Sequence, residues 1–194
     1  MRMKREAMAV LVFPALLVTS VLTALPAAAQ SASPSATAAT SFRQEELEQL
    51  AAPIALYPDS LVSQMLMAAT YPLEVVQAER FVAQHKNLQG EALARQLDAQ
   101  PWDPSVKSLA NFPQALLMMS SQLEWTQKLG DAFLAQPREL FAAIQRLRAK
   151  AQAAGYLKSS PEQTVVVREN VIIIEPASTT TVYVPVYDPV VVYG

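Results

Sequence analysis

Residues 52–76 read Ala-Pro-Ile-Ala-Leu-Tyr-Pro-Asp-Ser-Leu-Val-Ser-Gln-Met-Leu-Met-Ala-Ala-Thr-Tyr-Pro-Leu-Glu-Val-Val, and this stretch decides the fold. Two aromatic–proline pairs, Tyr57-Pro58 and Tyr71-Pro72, frame an apolar run. Proline is tolerated in the first turn of a helix, because the N–H that it lacks would have no intrahelical partner there. The two pairs therefore predict that helices start just after them and pack through the apolar residues between.

The same signals predict seven helices along the chain. Ser41 and Gln44 predict a capping box for the first helix, with Ser41 as its N-cap residue. Gly130 is the expected place for a break in the sixth, because glycine lowers helix propensity. Short connections favour antiparallel neighbours, so we expect an irregular antiparallel helical bundle over about 42–155. The predicted helices span residues 42–52, 59–70, 72–86, 90–99, 104–110, 113–134 and 137–154.

The last predicted helix carries a clear apolar stripe, which we expect to face the core. We expect the basic residues of this helix to lie largely outside the stripe. The stripe consists of Leu140, Ile144, Leu147 and Ala151, and the basic residues are Arg146, Arg148 and Lys150.

The pattern changes from helical to strand-like after Gly155, a residue suited to the left-handed position that follows a helix. Runs of β-branched residues at 164–167, 171–174 and 181–184 predict strands. Two prolines, at 185 and 189, predict an edge strand or an extended unpaired segment at the end. The fold class is therefore mainly α with a small β segment. A helical domain over 41–158 precedes a β-rich C-terminal segment of the same domain over 159–194, with short antiparallel strands at about 163–193.

Residues 1–29 have the features of a secretory signal peptide. A basic start and an apolar stretch precede Ala27-Ala28-Ala29, a small-residue site that predicts cleavage after Ala29. Residues 30–40 predict a disordered spacer, and the mature protein is expected in the periplasm or exported. The alternative is an uncleaved membrane anchor, because the apolar stretch approaches the about 20 residues that span a bilayer. We expect membrane contact only in that case.

Composition excludes several classes of function. The chain has a formal net charge of −2 and no basic run, so it lacks the electrostatic footprint of a nucleic-acid-binding protein. It has no cysteine, which excludes disulfides, thiolate metal sites and a lipid anchor on cysteine. The one histidine, His85, cannot build a multi-histidine zinc site within one chain. We therefore expect no metal and no cofactor.

Two acidic residues are candidates for acid–base chemistry. Asp59 and Glu74 both follow a proline at a predicted helix start, and a pair of convergent carboxylates could act as general acid and base. Helix starts also favour carboxylates for electrostatic reasons alone, because the helix dipole is positive there. We favour this structural role and assign no catalytic residue.

Three aromatic residues are candidates for binding. Trp102 lies in a loop between predicted helices, where it can serve as a lid on the bundle or, if exposed, as a recognition residue for peptide or glycan. Tyr183 and Tyr187 belong to the C-terminal strand-like run. An uncovered edge strand pairs readily with other chains, so this run must pack on its own domain or bind an envelope protein by strand addition.

The aromatic–proline blocks also resemble a known family. The chain is similar, over about residues 42–194, to exported bacterial envelope proteins known as domain of unknown function 3300. The resemblance implies an exported protein with a low-complexity tail after the domain, where this chain ends at Gly194, and it implies no catalytic residues. It is carried by residues 55–61, 65–76 and 183–189, and residues 102–107, Leu109 and Phe112-Pro113 fit it too.

These observations lead to one main hypothesis and one alternative. The main hypothesis is an exported cell-envelope protein without enzymatic activity, which acts as a structural or interaction module. The alternative is an envelope hydrolase or a cell-wall or glycan-binding protein that uses Asp59, Glu74 or Trp102.

Overall fold

The computed structural model describes residues 41–178 and 183–194, where the chain is mainly helical with a two-stranded antiparallel sheet near its C-terminus, as predicted. The predicted signal peptide and spacer lie outside the described residues and remain predictions. The elements are α1 (Gln44–Ala51), α2 (Asp59–Ala68), α3 (Pro72–Gln84), α4 (Gly90–Asp98), α5 (Pro104–Leu109), α6 (Pro113–Ser121), α7 (Leu123–Ala135), α8 (Pro137–Ala153), β1 (Gln163–Arg168), β2 (Val171–Pro176) and α9 (Pro189–Tyr193).

Prolines mark five helix starts as the sequence predicted. Helices α3, α5, α6 and α8 each have a proline in their first turn, and Pro58 is the N-cap residue of α2. The short helix α9, which was not predicted, also begins with a proline. Asp103 caps α5 in the expected way, because its Oδ1 accepts a hydrogen bond of 2.8 Å from the Ser105 amide. Gly155 also has the expected left-handed conformation after α8, with a φ of +79°.

The predicted capping box of the first helix was wrong by two residues. The N-cap residue is Arg43, and its amide donates a 2.7 Å hydrogen bond to the Glu46 carboxylate. A longer-range contact also fixes this start, since the Phe42 amide donates to the Gln136 side chain at 2.6 Å. Ser41 therefore precedes the helix instead of capping it.

The predicted break in the helix over 113–134 lies at a different residue. The chain leaves helical geometry at Gln122, with φ −115° and ψ 55°, and this separates α6 from α7. Gly130 lies within α7, where it allows a close approach to the end of α2. A Cβ atom at this position would lie 2.3 Å from the Ala69 carbonyl oxygen. Gly130 therefore permits the close packing of α7 against the end of α2, which leaves no room for a side chain at this position.

The β-hairpin has the predicted turn. Glu169 and Asn170 connect β1 to β2 with φ values of 49° and 67°, the left-handed conformation that two-residue hairpin turns require. Val165 pairs with Ile174 and Val167 with Ile172, so these side chains share one face of the sheet. An isolated hairpin is marginally stable, and this one gains stability by packing its β2 strand on α8 and α2.

The third predicted strand was wrong where the structure describes it. Its first half, residues 181 and 182, lies outside the described residues. Residues 183–188 have no regular structure, and the residues that follow form the short helix α9. The physical reason is the Asp188-Pro189 pair. The Asp188 side chain accepts a 2.9 Å hydrogen bond from the Val190 amide, while the proline supplies the φ of a first helical turn.

Two clusters of buried side chains hold the described residues together. The larger cluster fills the space between the helices and includes Leu61, Met65 and Leu116. The smaller cluster joins the bundle to the hairpin and to α9. It consists of Leu56, Ala151, Leu157, Ile172, Ile174 and Val192.

Within the described residues, no helix is long and apolar enough to span a bilayer.

Candidate interaction site at the C-terminal segment

Arg148 is the buried charge on which the C-terminal part of the domain is assembled. The expectation that it lies outside the apolar stripe of α8 was wrong, because its side chain is only 2% exposed. Arg148 follows Ile144 by four residues and so lies on the same face of the helix. That spacing was the signal in the sequence. It was outweighed by the general rule that charged side chains stay at the surface.

The Arg148 guanidinium binds three carbonyl groups from two parts of the chain. Its Nε and NH2 groups donate to the carbonyls of Ala55 and Tyr57, at 2.8 and 3.1 Å. Its NH1 group donates to the carbonyl of Ile172 in β2 at 2.8 Å. NH1 also lies 2.5 Å from the Asp59 carboxylate, an ion pair without the alignment of a hydrogen bond. Arg148 thus connects the α1–α2 loop to the hairpin.

Tyr187 anchors the C-terminal segment, residues 183–194, to the same loop. Its hydroxyl donates to the Ala52 carbonyl at 2.7 Å and accepts from the Leu56 amide at 3.3 Å. Its ring meets those of Tyr57 and Tyr193 edge to face, with centroids 6.3 and 6.2 Å apart. Burial raises the pKa of the Tyr187 hydroxyl, as expected for a phenol that leaves water. Tyr187 is therefore a packing residue of its own domain.

The opposite side of the C-terminal segment carries exposed apolar side chains. Val190 and Val191 in α9 are 75% and 60% exposed, while the neighbouring Val192 is buried. Val186 and Tyr183 are exposed too, at 92% and 43%. Because Tyr187 and Val192 hold the segment on the domain, its outward side chains present a fixed apolar surface.

The two acidic candidates lie near opposite ends of α2. Asp59 begins α2, while Glu74 lies in the first turn of α3, which begins beyond the end of α2. Ten residues of α-helix separate their backbones by about 15 Å. Asp59 pairs with Arg148, and Glu74 accepts a 2.7 Å hydrogen bond from the Asp103 amide. Each carboxylate therefore has a structural contact of its own.

Trp102 packs in the core, as the lid interpretation predicted. It is 7% exposed, its Nε1 donates to the Gln77 side chain at 3.0 Å, and its ring meets Phe81 edge to face at 5.7 Å.

Within the described residues, no group of three or more acidic or histidine side chains could hold a metal ion.

The comparisons with known proteins agree with the family resemblance that the aromatic–proline blocks of the sequence carry. The chain is 41% identical to the uncharacterized protein YacH of Escherichia coli strain K12 over 187 aligned positions, which cover 80% of this chain and 30% of the relative. The chain thus spans less than a third of that relative's length. No solved structure matches it significantly. A family model described as "Protein of unknown function (DUF3300)" matches residues 43–194, which is most of the chain, so the protein belongs to the DUF3300 family.

Proposed function

We propose that the protein is an exported cell-envelope protein without enzymatic activity, and that it binds a protein partner through the outward face of its C-terminal segment. This face consists of Val190 and Val191 in α9, together with the exposed Val186 that precedes the helix. The observation that carries the proposal is the contrast within α9, where Val192 packs inward and the two residues before it face solvent. Fixed apolar side chains at a surface are typical of protein interaction sites.

The contacts of the acidic residues support the non-enzymatic part of the proposal. A general acid–base pair needs its two carboxyl groups close to one reacting bond. Asp59 instead pairs with Arg148, and Glu74 binds the backbone at the start of α5. These contacts are those of helix starts and of packing between elements.

The expected export follows from the sequence of the first residues, and a direct measurement tests it. Mass spectrometry of the protein from its native host should find Gln30 as the first residue, and osmotic shock should release the protein. A chain that keeps its apolar N-terminal segment and stays with the membrane would contradict export and would support the anchor alternative.

Substitution tests the contact face more cleanly than deletion does. Removal of residues 179–194 would also remove Val192 and Tyr187, and would uncover the smaller buried cluster. The double variant Val190→Lys and Val191→Lys changes only exposed side chains. Leu134→Lys is the matched control, because Leu134 is equally exposed on α7.

The readout is site-specific photo-crosslinking in the living cell, with the photoreactive residue at position 186. We expect a discrete crosslinked partner with the native chain and with Leu134→Lys, and loss of that product with the lysine pair. The proposal is wrong if the product persists in the lysine pair, or if no discrete product forms with the native chain.

A further inference from the structure

Two surface depressions beside the C-terminal segment share part of their lining, and we call them together the groove. The first has a volume of about 710 Å³ and the second of about 490 Å³, and Glu162 and Tyr183 line both. Depressions of this size accommodate small ligands or successive units of a polymer.

The groove combines aromatic rings with planar polar groups. Asn111, Phe112 and Gln114 line the first depression, and Tyr156 and Gln163 line the second. The rings of Tyr156 and Tyr183 are roughly half exposed, so their faces are accessible. One cation, Lys158, and one anion, Glu162, leave the described lining without a net charge.

One polar atom in this lining has unused hydrogen-bonding capacity. Gln163 donates through Nε2 to the Lys158 carbonyl at 3.2 Å, but its Oε1 is buried and accepts no hydrogen bond within the described residues. A buried acceptor without a donor is costly, and its presence calls for an explanation. This oxygen has almost no solvent-accessible surface, so a ligand hydroxyl group would reach it once the Gln163 side chain rotates toward the groove.

We propose that this groove binds a neutral oligosaccharide. One face of a pyranose ring presents weakly positive C–H bonds, which suit the negative face of an aromatic ring. Its hydroxyl groups both donate and accept, and side-chain amides and carboxylates offer matching partners. The absence of a net charge favours a neutral sugar chain over a charged one.

The backbone beside the groove argues against an extended peptide that adds as a strand, because strand addition needs free amide and carbonyl groups. The Val165 amide and carbonyl bind the Ser159 hydroxyl at 2.9 and 3.3 Å. The Gln163 carbonyl accepts from the Ser160 amide at 2.9 Å. Recognition in the groove therefore falls to side chains.

This inference goes beyond the proposed function and rests on different residues, apart from Val186, which lines the second depression and also belongs to the proposed contact face. The protein contact rests on Val190 and Val191, whereas the groove rests on Tyr183, Tyr156 and Gln163. Binding of a sugar chain to the purified protein does not depend on export or on a protein partner. Failure of one proposal therefore leaves the other standing.

Calorimetric titration of the purified chain tests the proposal. The probes are a glucose hexasaccharide and an N-acetylglucosamine hexasaccharide, and a proline-rich decapeptide is the competing class. We expect one of the hexasaccharides to bind with a Kd below about 1 mM. We expect Tyr183→Ala to weaken that binding about tenfold, which corresponds to the loss of one aromatic contact. Gln163→Leu, which removes the free acceptor but keeps the volume, should weaken it about fivefold.

Tyr71→Ala is the matched control, because Tyr71 is 42% exposed at the start of α3, away from the groove residues. It should leave the Kd unchanged, and circular dichroism should show that all variants are folded. The proposal is overturned if neither hexasaccharide binds, if only the decapeptide binds, or if Tyr183→Ala binds as well as Tyr71→Ala does.

Discussion

Replacement of Arg148 by methionine tests whether this buried guanidinium holds the C-terminal part of the domain. Methionine has a similar length and fills the apolar part of the site, but it donates no hydrogen bond. The carbonyls of Ala55, Tyr57 and Ile172 would each lose the donor that Arg148 provides. The variant thus removes polar contacts while it preserves most of the packing.

The expected cost follows from the partners that remain. The Ile172 carbonyl keeps a second donor, the Gln145 side chain at 3.1 Å, so it stays satisfied. The carbonyls of Ala55 and Tyr57 lose the Arg148 donor. A buried acceptor left without a partner costs about 1–3 kcal/mol. The Asp59 side chain is 42% exposed, so water reaches its carboxylate although Oδ1 is buried. We therefore expect Arg148→Met to lower the free energy of unfolding by about 4 kcal/mol in total.

Urea unfolding followed by circular dichroism measures this change, with Arg146→Met as the matched control. Arg146 is two residues away on the same helix, is 35% exposed, and pairs with Glu48 at 2.6 Å. The Glu48 side chain is only 15% exposed, but it keeps Lys150 at 2.9 Å when Arg146 is replaced, so the control should cost less than about 1 kcal/mol. Arg148→Lys should fall between the two, because lysine keeps the charge but cannot reach three carbonyls with a planar fork.

The result that would refute this reasoning is equality between the two methionine variants. If Arg148→Met and Arg146→Met lowered the free energy of unfolding by the same amount, the three carbonyl contacts would contribute no net stability. A stabilised Arg148→Met variant would show that the cost of burying the guanidinium exceeds its hydrogen bonds, as happens for some buried ion pairs.

Three further predictions concern single contacts. Hydrogen bonding to Lys150 lowers the pKa of Glu48 from 4.5 to about 2. Since the carboxylate is favoured in the folded state, its contribution is complete above pH 4.5 and is lost as the pH falls toward 2, so the native chain should lose about 1–2 kcal/mol more than Glu48→Gln over that range in acid titrations of unfolding. Gly130→Ala should cost about 3 kcal/mol in urea unfolding, because the new Cβ would meet the Ala69 carbonyl. Tyr187→Phe removes the hydroxyl between Ala52 and Leu56 and should cost about 1–2 kcal/mol in the same assay.

Each of these predictions has an internal control. Gly90→Ala places a Cβ where nothing lies within 4 Å, at a φ of +53°, so it should cost only the about 1 kcal/mol of the left-handed conformation. Equal costs at Gly90 and Gly130 would contradict the packing argument. Tyr183→Phe alters an exposed tyrosine of the same segment and should leave stability unchanged. Parallel acid titrations of the native chain and Glu48→Gln would contradict the role of Glu48.

The helix starts could be predicted from the sequence because their causes are local. A proline fixes its own φ, and an aspartate caps the residues directly after it. Asp103 and Pro104 give both of these signals at the start of α5, which was predicted correctly. The hairpin turn at Glu169-Asn170 was equally local and was found at the expected place.

The predictions that were wrong concern features that depend on residues far away in the sequence. The start of α1 depends on Gln136, which lies 94 residues away and binds the Phe42 amide. The spacing from Ile144 places Arg148 on the buried face of α8, but no local pattern reveals the carbonyls at 55 and 57 that its guanidinium binds there. We expected Gly130 to break a helix, because the sequence does not show that the backbone at Ala69 approaches this position and leaves no room for a side chain. Sequence periodicity carries no information about such partners.

Two of the blocks that carry the family resemblance, residues 55–61 and 183–189, turn out to be parts of one structural unit. The first block contains the loop before α2, and the second, which is far away in the sequence, contains Tyr187. Tyr187 binds the carbonyl of Ala52 and the amide of Leu56 on one side of that loop. Arg148 binds the carbonyls of Ala55 and Tyr57 in the same loop.

The aromatic–proline loop is thus clamped from two sides, by a helix and by the C-terminal segment. This double clamp gives its distinctive residues a structural role. The clamp also explains why the C-terminal segment can present an ordered surface although residues 183–188 form no helix or strand. A segment fixed at Tyr187 and Val192 can keep Tyr183 and Val190 in constant positions. The working surfaces that we propose therefore depend on the same loop that decides the fold.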